Sequence, residues 1–312
     1  MTAKNGIRTT DKEAPLWWPS SRTAHTFAVV FWLLSLALFR RPLSSLASLS
    51  LQDENSSHIL LIPLISAVIL YLQRKRIFEA SRFCPFFGIP LILLPIVWYS
   101  IRAPLSSMNH TDGLSVVTSL IVLGWLAIFL LSYGPSSFWA AMFPLLFLVL
   151  MVPMPVVLLE HTISALQRGS AEACNVLFRV MGVPFVRHDM HFSLPGVDIE
   201  VAKQCSGIHS GLSLFIAGLL LEHTLLKGAW KKAAFILCIF PIAIFKNAVR
   251  IVTISWLGIH VDRAFFYGTL HHQGGLPFSL LAIALMIFLI WVLSSGSFFP
   301  GYRPSEASLK KS

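Results

Sequence analysis

Four kinds of side chain in this 312-residue sequence could do chemistry together: a thiol, a guanidinium, an ammonium and paired imidazoles. The thiol is Cys205, in Cys205-Ser206-Gly207-Ile208-His209-Ser210 at the start of an apolar run. Two small residues after it let backbone N–H groups approach a ligand at what should be a helix N-terminus. Such a position lowers a thiol pKa and can help hold an oxyanion. The plain alternative is an unreactive cysteine at a span boundary. Cys84, Cys174 and Cys238 lack both a basic neighbour and a small-residue turn and are read as packing residues. The four cysteines form no CxxC pair, so neither a zinc ribbon nor a disulfide scaffold is indicated.

The guanidinium is Arg250, in Phe245-Lys246-Asn247-Ala248-Val249-Arg250-Ile251. From Lys232, at the inner edge of that apolar run, eighteen residues at about 1.5 Å each climb roughly 27 Å. Arg250 is then expected near the outer boundary of a hydrocarbon core about 30 Å thick. Lys246 and Asn247, four and three residues earlier, share its helix face. Charges at membrane depth are costly and mark functional sites. The alternative is an arginine that snorkels to outer headgroups. The imidazoles are His271 and His272, in Gly268-Thr269-Leu270-His271-His272-Gln273-Gly274-Gly275 before the last apolar run. An imidazole titrates near pH 6.5 and can take and return a proton at neutral pH. Cysteine, arginine and histidine come from three segments that arrive at one membrane face, which favours a thiol active site over three coincidences.

A metal site is the rival chemistry, because His188, Asp189 and His191 could join His271 and His272. An alternating strand pattern already explains His188 and His191 as solvent-facing, and no HExxH occurs. No metal and no cofactor is expected. Glu222 and His223 are expected to face water beside Lys227 at the inner end of their span.

The elements that must position these groups follow from composition. Charged residues make up 12% of the chain, about half the roughly 25% usual in soluble domains. Hydrophobic residues reach 55% and the mean hydropathy is +0.73. A soluble fold of this size has too little core to bury so much apolar surface. The composition excludes a disordered chain, a collagen-like fibre and an ordinary cytosolic enzyme. The net charge of +10 is spread between apolar runs and not gathered in one solvated patch, which counts against nucleic-acid binding. The expected fold is an all-α polytopic membrane protein, with room for about eight helices of about 20 apolar residues. The runs lie near 25–42, 57–73, 86–101, 114–132, 138–158, 206–225, 233–257 and 276–295. Arg40 and Arg41 must snorkel if the first run crosses, and they argue against signal-peptide cleavage near Ser45–Ser50. Pro144, Pro153 and Pro155 should bend or break the fifth run, and Pro241 should kink the seventh.

Lys and Arg set the orientation. With both termini inside, Lys4, Arg8, Lys12, Arg22, Arg74, Lys75, Arg76, Arg82, Lys227, Lys231, Lys232, Arg303, Lys310 and Lys311 are cytoplasmic. The expected layout is a cytoplasmic segment 1–24, a transmembrane domain 25–295 and a cytoplasmic tail 296–312. One outer loop, 159–204, has internal order. Ile163, Leu166, Cys174, Leu177 and Val180 or Met181 recur at helical spacing, with Arg168, Glu172 and Arg179 opposite, as in a helix lying in the interface. Met190, Phe192 and Leu194 then alternate, Pro195-Gly196 turns the chain, and Val197–Val201 alternates again, which reads as a β-hairpin.

In order and spacing these segments resemble the exosortase/archaeosortase membrane transpeptidases. The likeness is carried by Cys205-Ser206-Gly207, by Asn247-Ala248-Val249-Arg250-Ile251, and by His271 standing four residues before Gly275. The Ser57-His58 step before the second run and the Leu194-Pro195-Gly196 turn add to it. His209 stands where many members of that family have Arg. The resemblance implies a cysteine transpeptidase that processes exported proteins at a C-terminal sorting signal: a Pro-Glu-Pro-like motif, a transmembrane helix and a basic tail. It implies Cys205 as nucleophile, Arg250 as oxyanion donor and His271 as acid and base. Ser206, Gly207, His209, Lys246, Asn247 and His272 would support the site or bind substrate. The partners would be those exported proteins and membrane lipid. A reading from another class is a transporter, or a polysaccharide- or lipid-handling membrane protein, with an anion site at Arg250 and Lys246. An inverted repeat would favour it, and none is visible.

Overall fold

A computed structural model describes residues 21–79, 97, 108–202, 207–262 and 275–295 of the chain. Contacts divide the chain at Pro155 into two compact units. Among the described residues five helices are long and apolar enough to cross a membrane, or seven when two bent helix pairs count as one span each. The fold is thus all-α and polytopic apart from one small sheet. The expected run at 86–101 lies almost wholly outside the described residues.

The first unit begins with α1 (Ser21–Leu38) and α2 (Arg40–Gln52), which meet at a 75° bend. Arg40 and Arg41 therefore open a second helix, where a continuous span had been expected to run to residue 42. A 3₁₀ turn, Glu54–Ser56, leads into α3 (Leu61–Leu72) and the short α4 (Arg74–Phe78). The Asp53 side chain starts that turn by accepting from the Asn55 N–H and from Ser56 Oγ. α5 (His110–Ala140) starts at the Asn109 cap, whose side chain accepts from the Asp112 N–H, and covers the expected fourth run. It kinks at Gly134, held at φ 78°, just before Pro135. α1 lies on α5 through Trp125 Nε1, which donates to Ser35 Oγ at 2.9 Å, and through a His25–Tyr133 hydrogen bond of 2.9 Å.

The fifth apolar run, 138–158, which its prolines were expected to bend or break, is broken. α5 ends at Ala140, α6 covers Met142–Phe147, a 3₁₀ turn covers Leu148–Met151, and helix resumes only at Val156. Pro153 and Pro155 lack the N–H groups that would carry the helix onward. Serines on neighbouring helices take up backbone carbonyls here: Ser66 Oγ donates to Pro144 O at 2.6 Å, and Ser115 Oγ to Pro153 O at 2.8 Å.

The second unit carries the candidate chemistry. α7 (Val156–Val180) buries Leu166, Ser170, Ala171, Cys174 and Phe178, the i, i+4 stripe of an amphipathic helix. Three short antiparallel strands follow in the order β1 (Val186–His188), β2 (His191–Leu194) and β3 (Val197–Glu200). The expected hairpin is present, with Leu194 paired to Val197 across Pro195-Gly196 and Gly196 at φ 82°. Its alternation also holds, since Phe192 and Leu194 are buried while His191 and Ser193 are exposed. β1 is an addition that the sequence reading did not contain; Asp189, at φ 55°, turns the chain from it into β2. The sheet rests its apolar face on α7 and on the long α9, through Phe178, Phe192, Leu194, Ala248 and Val252.

α8 (Ile208–Leu225), α9 (Ala229–His260) and α10 (Gly275–Ser295) complete the unit. α9 passes through Pro241 as a single helix. Leu214, Phe235, Ile239, Ala282 and Met286 form the core that these three helices share. At the other end of α8, Glu222 corrects the expectation that it faces water. It is 5% exposed and its carboxylate lies 3.0 Å from Lys232 Nζ. The last turn of α8 packs beside the first turn of α9, so the carboxylate meets an ammonium where water had been expected.

Candidate functional site

Five of the nine site residues expected from sequence fall within the described residues: Gly207, His209, Lys246, Asn247 and Arg250. Cys205, Ser206, His271 and His272 lie outside them. Four described residues meet where α8 starts beside the middle of α9: Gly207, Ser210, Lys246 and Asn247. The meeting begins with backbone conformation. Gly207 caps α8 at φ 73° and ψ 19°, the left-handed region that favours glycine. With no side chain there, the backbone comes up against Asn247. A Cβ built on Gly207 would lie 3.1 Å from Asn247 Oδ1 and 3.2 Å from its Cγ. The glycine of the cysteine segment and the asparagine of the arginine segment are therefore in direct contact.

Hydrogen bonds extend that contact. The Gly207 carbonyl accepts the Gly211 N–H at 2.7 Å and the Ser210 hydroxyl at 3.1 Å. Lys246 Nζ donates to the same Ser210 hydroxyl. Asn247 Nδ2 donates to Ser170 Oγ on α7 at 3.0 Å, so three helices are joined by polar side chains. Lys246 and Asn247 are each 1% exposed and Ser170 is fully buried. Buried polar groups in an apolar bundle are stable only when paired in this way. Arg250 is half-buried on α9, one turn beyond Lys246 and on the same face. His209 is exposed, in contrast to the buried Lys246 and Asn247, and its backbone carbonyl accepts the Ser213 hydroxyl at 3.1 Å.

Ser170 and Ser210 are the members that sequence reading missed. The signal for Ser210 is its place in the first turn of α8, three residues past a glycine cap. Ser170 offers none, because its partner lies 77 residues away. Cys174 is fully buried with Sγ 3.8 Å from Ala248 O, which fits its reading as a packing residue, and Cys238 is half-buried. Cys84 lies outside the described residues.

Among the described residues no group of three or more His, Cys, Asp and Glu side chains could hold a metal ion. His188 and His191 are exposed on neighbouring strands. The sheet is tied to α7 by Arg187, whose Nη2 lies 2.8 Å from Glu172 Oε1, a hydrogen bond that raises the arginine pKa above its ordinary value. The Gln167 side chain also donates to Val201 O, at the end of the segment that leads to Cys205.

Gly207→Ala is expected to destabilise the unit. An L-residue in the left-handed region costs roughly 1–2 kcal/mol, and the new methyl would press on Asn247, itself held by Ser170. A lower thermal unfolding midpoint in detergent would show this. An unchanged midpoint would mean that the turn is free to rearrange.

The family model that describes the transmembrane exosortase matches residues 48–288, spanning both units. No curated protein and no solved structure matches the chain.

Proposed function

Since this chain belongs to the transmembrane exosortase family, a family of membrane transpeptidases, we propose that Cys205 is the nucleophile with which it cleaves C-terminal sorting signals of exported proteins. The observation that carries the reading is the contact between Gly207 and Asn247. It joins the segment that holds Cys205 to the helix that holds Arg250. Both termini would be cytoplasmic in a cell membrane, with the cysteine on the outer face. That topology suits a substrate whose basic tail stays inside, whose apolar helix docks among the spans and whose motif reaches the outer boundary.

The chemistry is acyl transfer. The Cys205 thiolate attacks the scissile carbonyl carbon and a C–S bond forms, giving a tetrahedral oxyanion to which Arg250 donates. Collapse breaks the C–N bond, and His271 gives its proton to the leaving amine. The thioester that remains is attacked by water or by an acceptor amine. His271 takes the proton from that nucleophile, and the thiolate leaves. Gly207 supplies the close backbone approach such a turn needs.

An exported reporter ending in a Pro-Glu-Pro motif, an apolar helix and a basic tail is expected to be shortened only when this protein is co-produced. Arg250→Lys is expected to lower the rate by on the order of 10²–10³, the usual loss of one oxyanion donor. A mobile ammonium does not replace a planar donor fork. A reporter left intact by abundant wild-type protein would overturn the reading. A wild-type rate in Arg250→Lys would reduce Arg250 to a charge anchor.

A further inference from the structure

The chemistry above gives no task to Lys246, although the fold spends a buried charge on it. Lys246 is 1% exposed on a membrane-spanning helix, and among the described residues no carboxylate forms an ion pair with it. Its neighbours one and two turns earlier on the same helix face, Ala243 and Ile239, are buried apolar residues. A methionine or leucine at 246 would fill the same space without desolvating an ammonium. A lysine stands here in spite of that cost, so the direction of its hydrogen bond matters.

Lys246 Nζ donates to Ser210 Oγ, which leaves the hydroxyl proton free to donate elsewhere. That proton goes to the Gly207 carbonyl, 3.1 Å away. An ammonium on α9 therefore sets the hydroxyl on α8, and the hydroxyl sets the peptide of the left-handed cap. Asn247, the next residue on α9, holds the other side of that cap by direct contact and is itself anchored to Ser170. Two consecutive residues of α9 thus clamp a turn that begins two residues after Cys205 in the chain. Two residues of chain reach at most about 7 Å, so a displaced turn displaces the thiol with it.

We propose that Lys246 and Ser210 are positioning residues for the transpeptidation, holding the Gly207 turn against the α9 face that bears Arg250. The proposal rests on the reading of Cys205 as nucleophile. It makes neither residue a substrate contact. Their effect is on how well the thiol and the guanidinium are aligned, and a misplacement of about 1 Å can cost on the order of 10² in rate.

The test uses the full-length protein in proteoliposomes with the reporter substrate, and reads kcat and KM separately. Ser210→Val and Ser210→Thr share one shape and differ only in the hydroxyl, which the first lacks and the second keeps, and Lys246→Met removes the charge at nearly constant length. Ser210→Val and Lys246→Met are expected to lower kcat by about 10²-fold with KM within a few-fold of wild type. Ser210→Thr should recover most of the rate. The double variant should be no slower than the slower single one, because both act through one contact. Wild-type kcat in Ser210→Val would overturn the proposal, as would a rise in KM alone or losses that multiply in the double variant. Should Lys246→Met fail to accumulate, the comparison of Ser210→Val with Ser210→Thr decides. Processing by Cys205→Ala would sink the nucleophile assignment itself. An inactive Cys205→Ala beside fully active Ser210→Val and Lys246→Met would sink only the positioning role.

Discussion

Cys205→Ala is expected to abolish reporter processing, a loss on the order of 10⁶ in rate, as for other enzymes that lose a covalent nucleophile. Cys84→Ala, Cys174→Ala and Cys238→Ala are expected to process the reporter normally. The reason lies in environment. Cys174 is fully buried between α7 and α9 with its sulfur against the Ala248 carbonyl, where no substrate carbonyl can reach it. Its removal should show in stability, because a buried side chain of that size leaves a cavity. Cys205, in contrast, precedes a left-handed glycine cap that opens α8. The N-terminus of α8, which begins three residues later in the chain, offers backbone N–H groups that favour an anion. Processing of the reporter by a variant with the other three cysteines replaced, and none by the variant lacking Cys205, is the pattern expected. Full activity in Cys205→Ala would end the thiol mechanism, and loss confined to Cys174→Ala would move the site into the α7 region.

What the sequence disclosed depended on whether a signal was local. The five helices long and apolar enough to cross a membrane fall on the runs at 57–73, 114–132, 206–225, 233–257 and 276–295, because apolar continuity is a property of neighbours in the chain. The hairpin was legible from alternation around Pro195-Gly196. β1 was not, since Val186-Arg187-His188 is too short to show a period of two. Hydropathy also hid where the backbone turns. Residues 138–158 are uniformly apolar, and it was the prolines that marked the break, where helix stops before Pro153 and restarts at Val156; the 75° bend at which Arg40 begins a helix went unread. In the candidate site, the residue types of Gly207, Lys246, Asn247 and Arg250 were legible, as was the helix face common to Lys246, Asn247 and Arg250. Their partners were not. Ser210 meets Lys246 across 36 residues, and Ser170 meets Asn247 across 77. The Glu222–Lys232 pair is nearer in sequence but forms across the turn between two helices, and hydropathy does not report it.

The second large effect concerns His271 and His272, adjacent residues of which one is expected to serve the reaction. His271 stands four residues before Gly275, the spacing found in the exosortase family, and Gly275 is where α10 begins. If the two histidines continue that helix backwards, their side chains point about 100° apart, so they cannot both face the thiol. His271→Ala is therefore expected to slow processing by on the order of 10²–10⁴, the usual contribution of a positioned acid–base group. The stall has two forms that trapping distinguishes. Without a proton donor for the leaving amine no thioester accumulates. With acylation still possible, an acyl-enzyme persists and is captured by hydroxylamine. His272→Ala is expected to lose no more than a few-fold, since its imidazole would lie toward water or headgroups. Equal loss in the two variants, together with inactivation by a chelator and recovery with zinc, would replace the acid–base role with a paired-imidazole metal site. Loss in His272→Ala alone would keep the acid–base chemistry and move its register by one residue.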